Sequence, residues 1–98
     1  MYDLIIIGGG PAGLTAGIYA KRAMLSTILV ERGAVGGQIA LTDVIENYPG
    51  FPSISGWELT QKFEEHARGF NLEIKQMEVS DIKDNGRHKI LKTSEGDF

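Results

Sequence analysis

The chain has 98 residues, no cysteine and a net charge of −3. That length holds one domain and is short for a complete doubly wound sheet. The charge offers no basic face to nucleic acid, and the lack of thiols excludes a disulfide framework, a metal–thiolate site or a redox dithiol within these residues.

Hydrophobic residues at 42% and charged residues at 23% fit an ordinary globular composition. No apolar run approaches the length that spans a bilayer. Met1-Tyr2-Asp3 leads straight into Leu4-Ile5-Ile6-Ile7, which fits no signal or transit peptide and points to a cytoplasmic protein. Residues 3–7 are predicted to form a strand buried on both faces, because the apolar run is continuous rather than alternating.

The glycines follow as Gly8-x-Gly10-x-x-Gly13, running directly into Leu14-Thr15-Ala16-Gly17-Ile18-Tyr19-Ala20. This is a strand, a tight turn and a helix, predicted over residues 11–24. Gly8 lets the chain turn sharply, Gly10 lets the backbone approach a pyrophosphate, and Gly13 lets the helix sit close on the strand. Pro11 suits the first helical position, and the free N–H groups after it favour an anion. A glycine turn alone is also an ordinary strand-to-helix connection. The helix is predicted to face the sheet through Leu14, Ile18 and the stretch Ala20 to Leu25, with Lys21 and Arg22 in its last turn. Mid-helix Gly17 costs about 1 kcal/mol against alanine; close packing of the helix and no particular role are both open for it.

Residues 27–31 form the second predicted strand, Ile28-Leu29-Val30 ending in Glu31. Glu31 lies 18 residues beyond Gly13. The dinucleotide fingerprint places an acid at about this distance, at the tip of the second strand, to hold the adenosine ribose. Strand, turn, helix and acid together favour a nucleotide site over a plain connection.

A long glycine- and proline-punctuated segment runs from Arg32 to Pro52, with a short helical turn predicted near Gln38 to Leu41. Ser55 and Glu58 form a predicted capping box. The helix behind it carries Leu59, Phe63 and Ala67 on one stripe and stops at Gly69. His66 has no second histidine or cysteine nearby and reads as a solvated helix residue. Leu72 to Ile74 is predicted as a third strand beside the second, which leaves the first strand at an apolar edge. Met77 to Lys83 and His88 to Thr93 alternate around Asp84-Asn85-Gly86, a hairpin signal. Ser94 to Asp97 is predicted as a further turn, with Phe98 opening another strand.

Four pieces, Gly8-Gly9-Gly10-Pro11-Ala12-Gly13, Glu31-Arg32-Gly33, Gly36-Gly37-Gln38 and Glu46-Asn47-Tyr48-Pro49-Gly50-Phe51-Pro52, carry a resemblance that covers all 98 residues. They resemble the amino-terminal FAD-binding region of low-molecular-weight thioredoxin reductases. The resemblance implies an α/β fold, a Rossmann-like parallel βαβ sheet with a β-meander. This is the FAD/NAD(P)-binding fold of flavoproteins with two dinucleotide-binding domains. It implies that Gly8, Gly9, Gly10, Pro11, Ala12 and Gly13 hold the FAD pyrophosphate, and that Glu31 holds the ribose with Arg32 beside the adenine. Gly37 and Gln38 would lie along the flavin–ribitol end, Thr42 and Asn47 near the isoalloxazine, and Val79 would pair its backbone with the adenine.

No residue of this chain is expected to be catalytic or to bind a metal. The family's NADPH domain, its Cys-x-x-Cys dithiol and its late Gly-Asp segment are not among these residues. The resemblance therefore implies that residues 1–98 are the amino-terminal part of an FAD-binding domain in a truncated chain. As an isolated piece it is expected to be a weak flavin binder, oligomeric or marginally stable. The full-length family member would be a homodimer passing electrons from NADPH through FAD to a thioredoxin-like protein or other disulfide substrate. Two alternatives remain open in the sequence: a thioredoxin-reductase-like ferredoxin–NADP reductase, and a stand-alone nucleotide-binding module without catalysis.

Overall fold

β1 (Leu4–Ile7), β2 (Thr27–Glu31) and β3 (Glu73–Gln76) form a parallel sheet in the order β1-β2-β3. Helix α1 (Pro11–Arg22) links β1 to β2, and α2 (Gly56–Gly69) precedes β3. A second sheet, the antiparallel meander β4 (Val79–Asp84), β5 (Lys89–Thr93) and β6 (Gly96–Asp97), completes the α/β fold. The computed structural model describes all 98 residues, Met1–Phe98.

β2 is central because its residues are apolar on both faces. Leu29 packs with Leu14, Ala67 and Leu72 on the helix side, and Ile28 and Val30 pack with Met77 on the meander side. Burying each such side chain contributes about 1.5–3 kcal/mol relative to leaving it exposed. β1 divides in the same way: Ile6 joins the helix-side cluster and Ile5 the meander-side one. β1 occupies the sheet edge, as the sequence reading placed it, and Ile7 is 51% exposed.

Glycine accounts for two close approaches of α1. A β-carbon on Gly13 would overlap the Gly8 carbonyl oxygen, so α1 rests directly on the end of β1. A β-carbon on Gly17 would overlap the Leu72 side chain, which is how the mid-helix glycine is used.

Several element ends differ from the sequence reading. Leu25 does not face the sheet. It lies past the end of α1 and is 38% exposed, whereas Ala20 is buried. α2 includes Gly69 in ordinary helical conformation, and the left-handed residue that turns the chain is Asn71, at φ 64°. Ser55 caps α2 by accepting from the Glu58 N–H at 3.1 Å; the reciprocal Glu58 bond is not formed. β3 begins one residue late because Leu72 turns into the core rather than joining the ladder. The first hairpin turn is a four-residue loop, closed by Asn85 N–H donating to the His88 carbonyl, because Asp84 already pairs with Lys89. Gly96 pairs with Thr93 within β6, so that turn is confined to Ser94 and Glu95.

α1 ends in a motif the sequence does not advertise. Met24 N–H donates to the Lys21 carbonyl and Leu25 N–H to the Ala20 carbonyl, with Met24 itself in the left-handed region at φ 62°. This is a Schellman end with a side chain where glycine is the usual occupant. The Met24 side chain is 89% exposed, so it gains no packing in exchange. Met24→Gly is therefore expected to stabilise the fold by about 0.5–1 kcal/mol, after the entropic cost of glycine, and calorimetry should show a Tm raised by a few degrees. An unchanged or lower Tm would contradict this reading of the helix end.

Candidate nucleotide-binding site

Three short segments meet beyond the carboxyl ends of the parallel strands, where open α/β sheets bind ligands. They are the glycine turn Gly8 to Gly13, the tip of β2 from Glu31 to Gly33, and the segment Gly36 to Leu41 with its 3-10 turn. Gly8 turns the chain at φ 108° while its N–H donates to the Val30 carbonyl at 2.8 Å. Gly9 is held on both sides: its N–H donates to Glu31 Oε1 at 2.9 Å, and its carbonyl accepts from Gly36 N–H at 2.8 Å.

Gly10 is the N-cap of α1 and provides no side-chain cap; Pro11 follows at the first helical position. No acidic side chain lies in the first turn of α1, so its unpaired N–H groups and positive dipole end face outward. Gly10 has φ −78° and ψ −174°, which any residue adopts, and its imaginary β-carbon meets only the Gly37 Cα at 4.0 Å. The fold thus leaves a cradle at Gly10 that it does not itself use. This is the fit expected for a phosphate group lying against bare backbone.

Glu31 ends β2. Its Oε2 accepts from Gly33 N–H at 2.7 Å, and its backbone carbonyl accepts from Met77 N–H at 3.1 Å. Its pKa is held below the ordinary glutamate value. The Gly33 bond is the largest cause; partial burial opposes it, and the Gly9 N–H, the Arg32 N–H and the Arg32 charge add to it.

An open groove between α1, α2 and the long connection extends from Pro11 and Ala12 past Thr15, Ile39 and Phe63. Thr42 and Asn47 line it, so the structure brings these two to the same groove as Pro11 and Ala12. Gly37 lies against Gly10, and a β-carbon there would come within 3.2 Å of the Gly10 Cα. Arg32 and Gln38 are exposed, and the Arg32 carbonyl accepts from Gln76 Nε2 at 3.3 Å. Val79 is the outlier. It is half-buried on the meander side, packed against the cluster of Ile28, Val30 and Met77, and a bulge before Asp81 follows it.

The sequence reading assigned no role to three residues that build this site. Gly36, at φ 123°, lies over Thr60, and a β-carbon would come within 2.8 Å of the Thr60 Cβ. Thr60 is fully buried and donates to the Trp57 carbonyl at 3.0 Å. Gly56 opens α2 with its N–H on the Thr42 carbonyl at 2.8 Å, and a β-carbon there would overlap the Ile39 and Thr42 carbonyl oxygens. A polar residue on the helix stripe and two adjacent glycines were the available signals.

The family model described as pyridine nucleotide-disulphide oxidoreductase matches residues 2–97. The chain belongs to this family. It is 47% identical over 98 residues to a thioredoxin reductase of Bacillus subtilis (strain 168), covering 100% of this chain and 31% of that protein. It is 50% identical over 94 residues to a Clostridium pasteurianum protein described as a 34.2 kDa protein in the rubredoxin operon, covering 95% of this chain and 30% of that one. The crystal structure of Lactococcus lactis thioredoxin reductase (FR conformation) superposes with a TM-score of 0.96 at 44% identity, over 100% of this chain and 32% of that chain. The chain therefore spans about a third of the length of the relatives it matches.

The two flanking glycines of the turn should separate in their effects. Gly13→Ala must displace α1 from β1 and is expected to cost about 1–3 kcal/mol of stability. Gly10→Ala should cost at most about 1 kcal/mol, the N-cap difference between glycine and alanine. Urea denaturation of both variants checks this, and equal losses would contradict the geometry. Glu31 also has a pH signature. Its folded pKa is depressed, so its stabilisation is complete above the unfolded pKa and is lost as pH falls through the folded value. The stability gap between the wild type and Glu31→Gln should therefore be open at neutral pH and close from about pH 5 downward. A gap that persists at pH 2–3 would contradict the ionised strut.

Proposed function

We propose that this chain is the FAD-binding part of a thioredoxin-reductase-type flavoprotein disulfide oxidoreductase. The observation that carries the reading is the open cradle at Gly10, ahead of an α1 without a side-chain cap, next in the chain to Gly9, whose N–H is held by the Glu31 carboxylate at the tip of the adjoining parallel strand. An anionic pyrophosphate meets backbone N–H groups and a helix dipole at the first, and ribose hydroxyls meet a charged acceptor at the second. The glycine turn Gly8, Gly9, Gly10, Pro11, Ala12 and Gly13 binds the pyrophosphate. Glu31 takes the ribose, with exposed Arg32 beside the adenine and the Val79 backbone pairing with it.

Gly37 and Gln38 border the flavin–ribitol end. Thr42 and Asn47 present neutral polar groups along the groove, where they can meet the donor and acceptor edge of an isoalloxazine without imposing a charge. The flavin, when bound, supplies two-electron redox chemistry that side chains lack. The chain has no cysteine, so its own part is to bind and orient the cofactor.

For the whole protein the reading is electron transfer from NADPH through FAD to the disulfide of a thioredoxin-like partner, by a cytoplasmic homodimer. No helix of the structure is long and apolar enough to cross a membrane. The thioredoxin reductases among its relatives favour disulfide reduction over the ferredoxin–NADP reductase alternative. FAD binding by the purified chain tests the reading directly. Wild type should quench or shift flavin fluorescence on titration, and Gly10→Ala should weaken the affinity at least about tenfold while remaining folded. Equal flavin binding by the two proteins would overturn the pyrophosphate assignment, and a full-length protein that carries no flavin would overturn the cofactor.

A further inference from the structure

We propose that Glu31 is a positioning residue for the phosphate-binding turn, in addition to any contact it makes with a ribose; the proposal rests on the nucleotide-binding reading above. A carboxylate has about four lone-pair sites. Gly9 N–H at 2.9 Å and Gly33 N–H at 2.7 Å occupy one on each oxygen. With the Arg32 N–H also directed at the carboxylate, at least one site is left, enough for a ribose hydroxyl. Ribose binding and loop bracing therefore do not compete for the same electrons.

The bracing reaches the phosphate cradle through a single residue, Gly9, held at both of its peptide groups. Glu31 fixes the N–H side of Gly9, and Gly36 N–H fixes its carbonyl side at 2.8 Å. The side chain also packs flush against the turn, since a β-carbon on Gly9 would lie 3.3 Å from Glu31 Cβ and Cγ. Gly10 comes next, its carbonyl accepting the Leu14 N–H at 3.0 Å to start α1. The orientation of the N–H groups at the helix end is thus set from a side chain 22 positions away.

The two effects of losing Glu31 on a phosphate have opposite signs. Removing a negative charge near an anion site strengthens anion binding by simple electrostatics. Releasing the Gly9 N–H weakens it, because the ligand must then order the turn. For a ligand without ribose hydroxyls, a loss of affinity on removing Glu31 can come only from the second effect. A residue that serves the ribose alone would give no loss, or a gain.

The experiment uses the chain with ADP and 2′,3′-dideoxy-ADP as probes, by titration calorimetry, on wild type, Glu31→Ala and Glu31→Gln. The expected result is that Glu31→Ala weakens 2′,3′-dideoxy-ADP by roughly tenfold and ADP by more, on the scale of charge-assisted hydrogen bonds. Glu31→Gln, which keeps one acceptor oxygen, should fall between. Unchanged or tighter 2′,3′-dideoxy-ADP binding by Glu31→Ala overturns the proposal while leaving the nucleotide reading intact. Failure of wild type to bind ADP removes that reading, and the proposal with it.

Should the variants unfold, wild type alone decides. In amide-resolved NMR across the acid range, the Gly9 and Gly33 N–H protons should move upfield together as the carboxylate, with Arg32 as its charged neighbour, takes up a proton. A Gly9 N–H that does not titrate with Gly33 overturns the proposal.

Discussion

The missing β-carbon at Gly13 is the constraint on which the rest of the molecule depends. Because the Gly8 carbonyl oxygen occupies that space, α1 lies directly on the end of β1 and its N-terminus opens just beyond the strand. Any side chain there would lift the helix. That would move Leu14 and Ile18 away from Leu29 and Leu72 and shift the positive helix end away from the tip of β2. One contact thus couples the packing of the helix face to the position of the candidate anion site.

β2 carries the second half of that coupling. Its three fully buried residues alternate between two cores, Leu29 towards the helices and Ile28 and Val30 towards the meander. The strand is packed from both sides, so its terminal residue Glu31 projects from the most buried strand of the chain. A side chain held this way can brace a loop at little entropic cost, since its backbone is already ordered by the sheet and by the Met77 N–H.

The long connection after β2 is not free either. Two of its contacts with α2 run through glycines: Gly36 lies on Thr60, and Gly56 lies on the carbonyls of Ile39 and Thr42. These contacts fold the segment back over the helices and shape the groove. The aromatic residues Tyr48, Phe51 and Phe63 then stack beside it, with Tyr48 and Phe63 centroids 5.4 Å apart.

The sequence by itself determined the parts that depend on neighbours along the chain. The continuous apolar run of β2, the glycine turn with Pro11, the Ser55 cap, the stripe of Leu59, Phe63 and Ala67 and the alternation of the meander are all short-range patterns, and each element forms where they predict it with ends shifted by up to two residues: α1 stops at Arg22 and β4 starts at Val79. The glycines and Glu31 were legible for the same reason, since their spacing is the spacing of one βαβ unit. Only the tertiary structure decided what those residues touch. It chose Asn71 and Met24, rather than Gly69, as the left-handed helix ends, and turned Leu72 into the core. It also buried Thr60 under Gly36 and committed half of the Glu31 carboxylate to the backbone of the glycine turn. The Leu72, Thr60 and Glu31 contacts join residues some 20 or more positions apart, and a pairing at that separation leaves no periodic trace, because it is set by how helices and loops close over the sheet rather than by any local conformational preference.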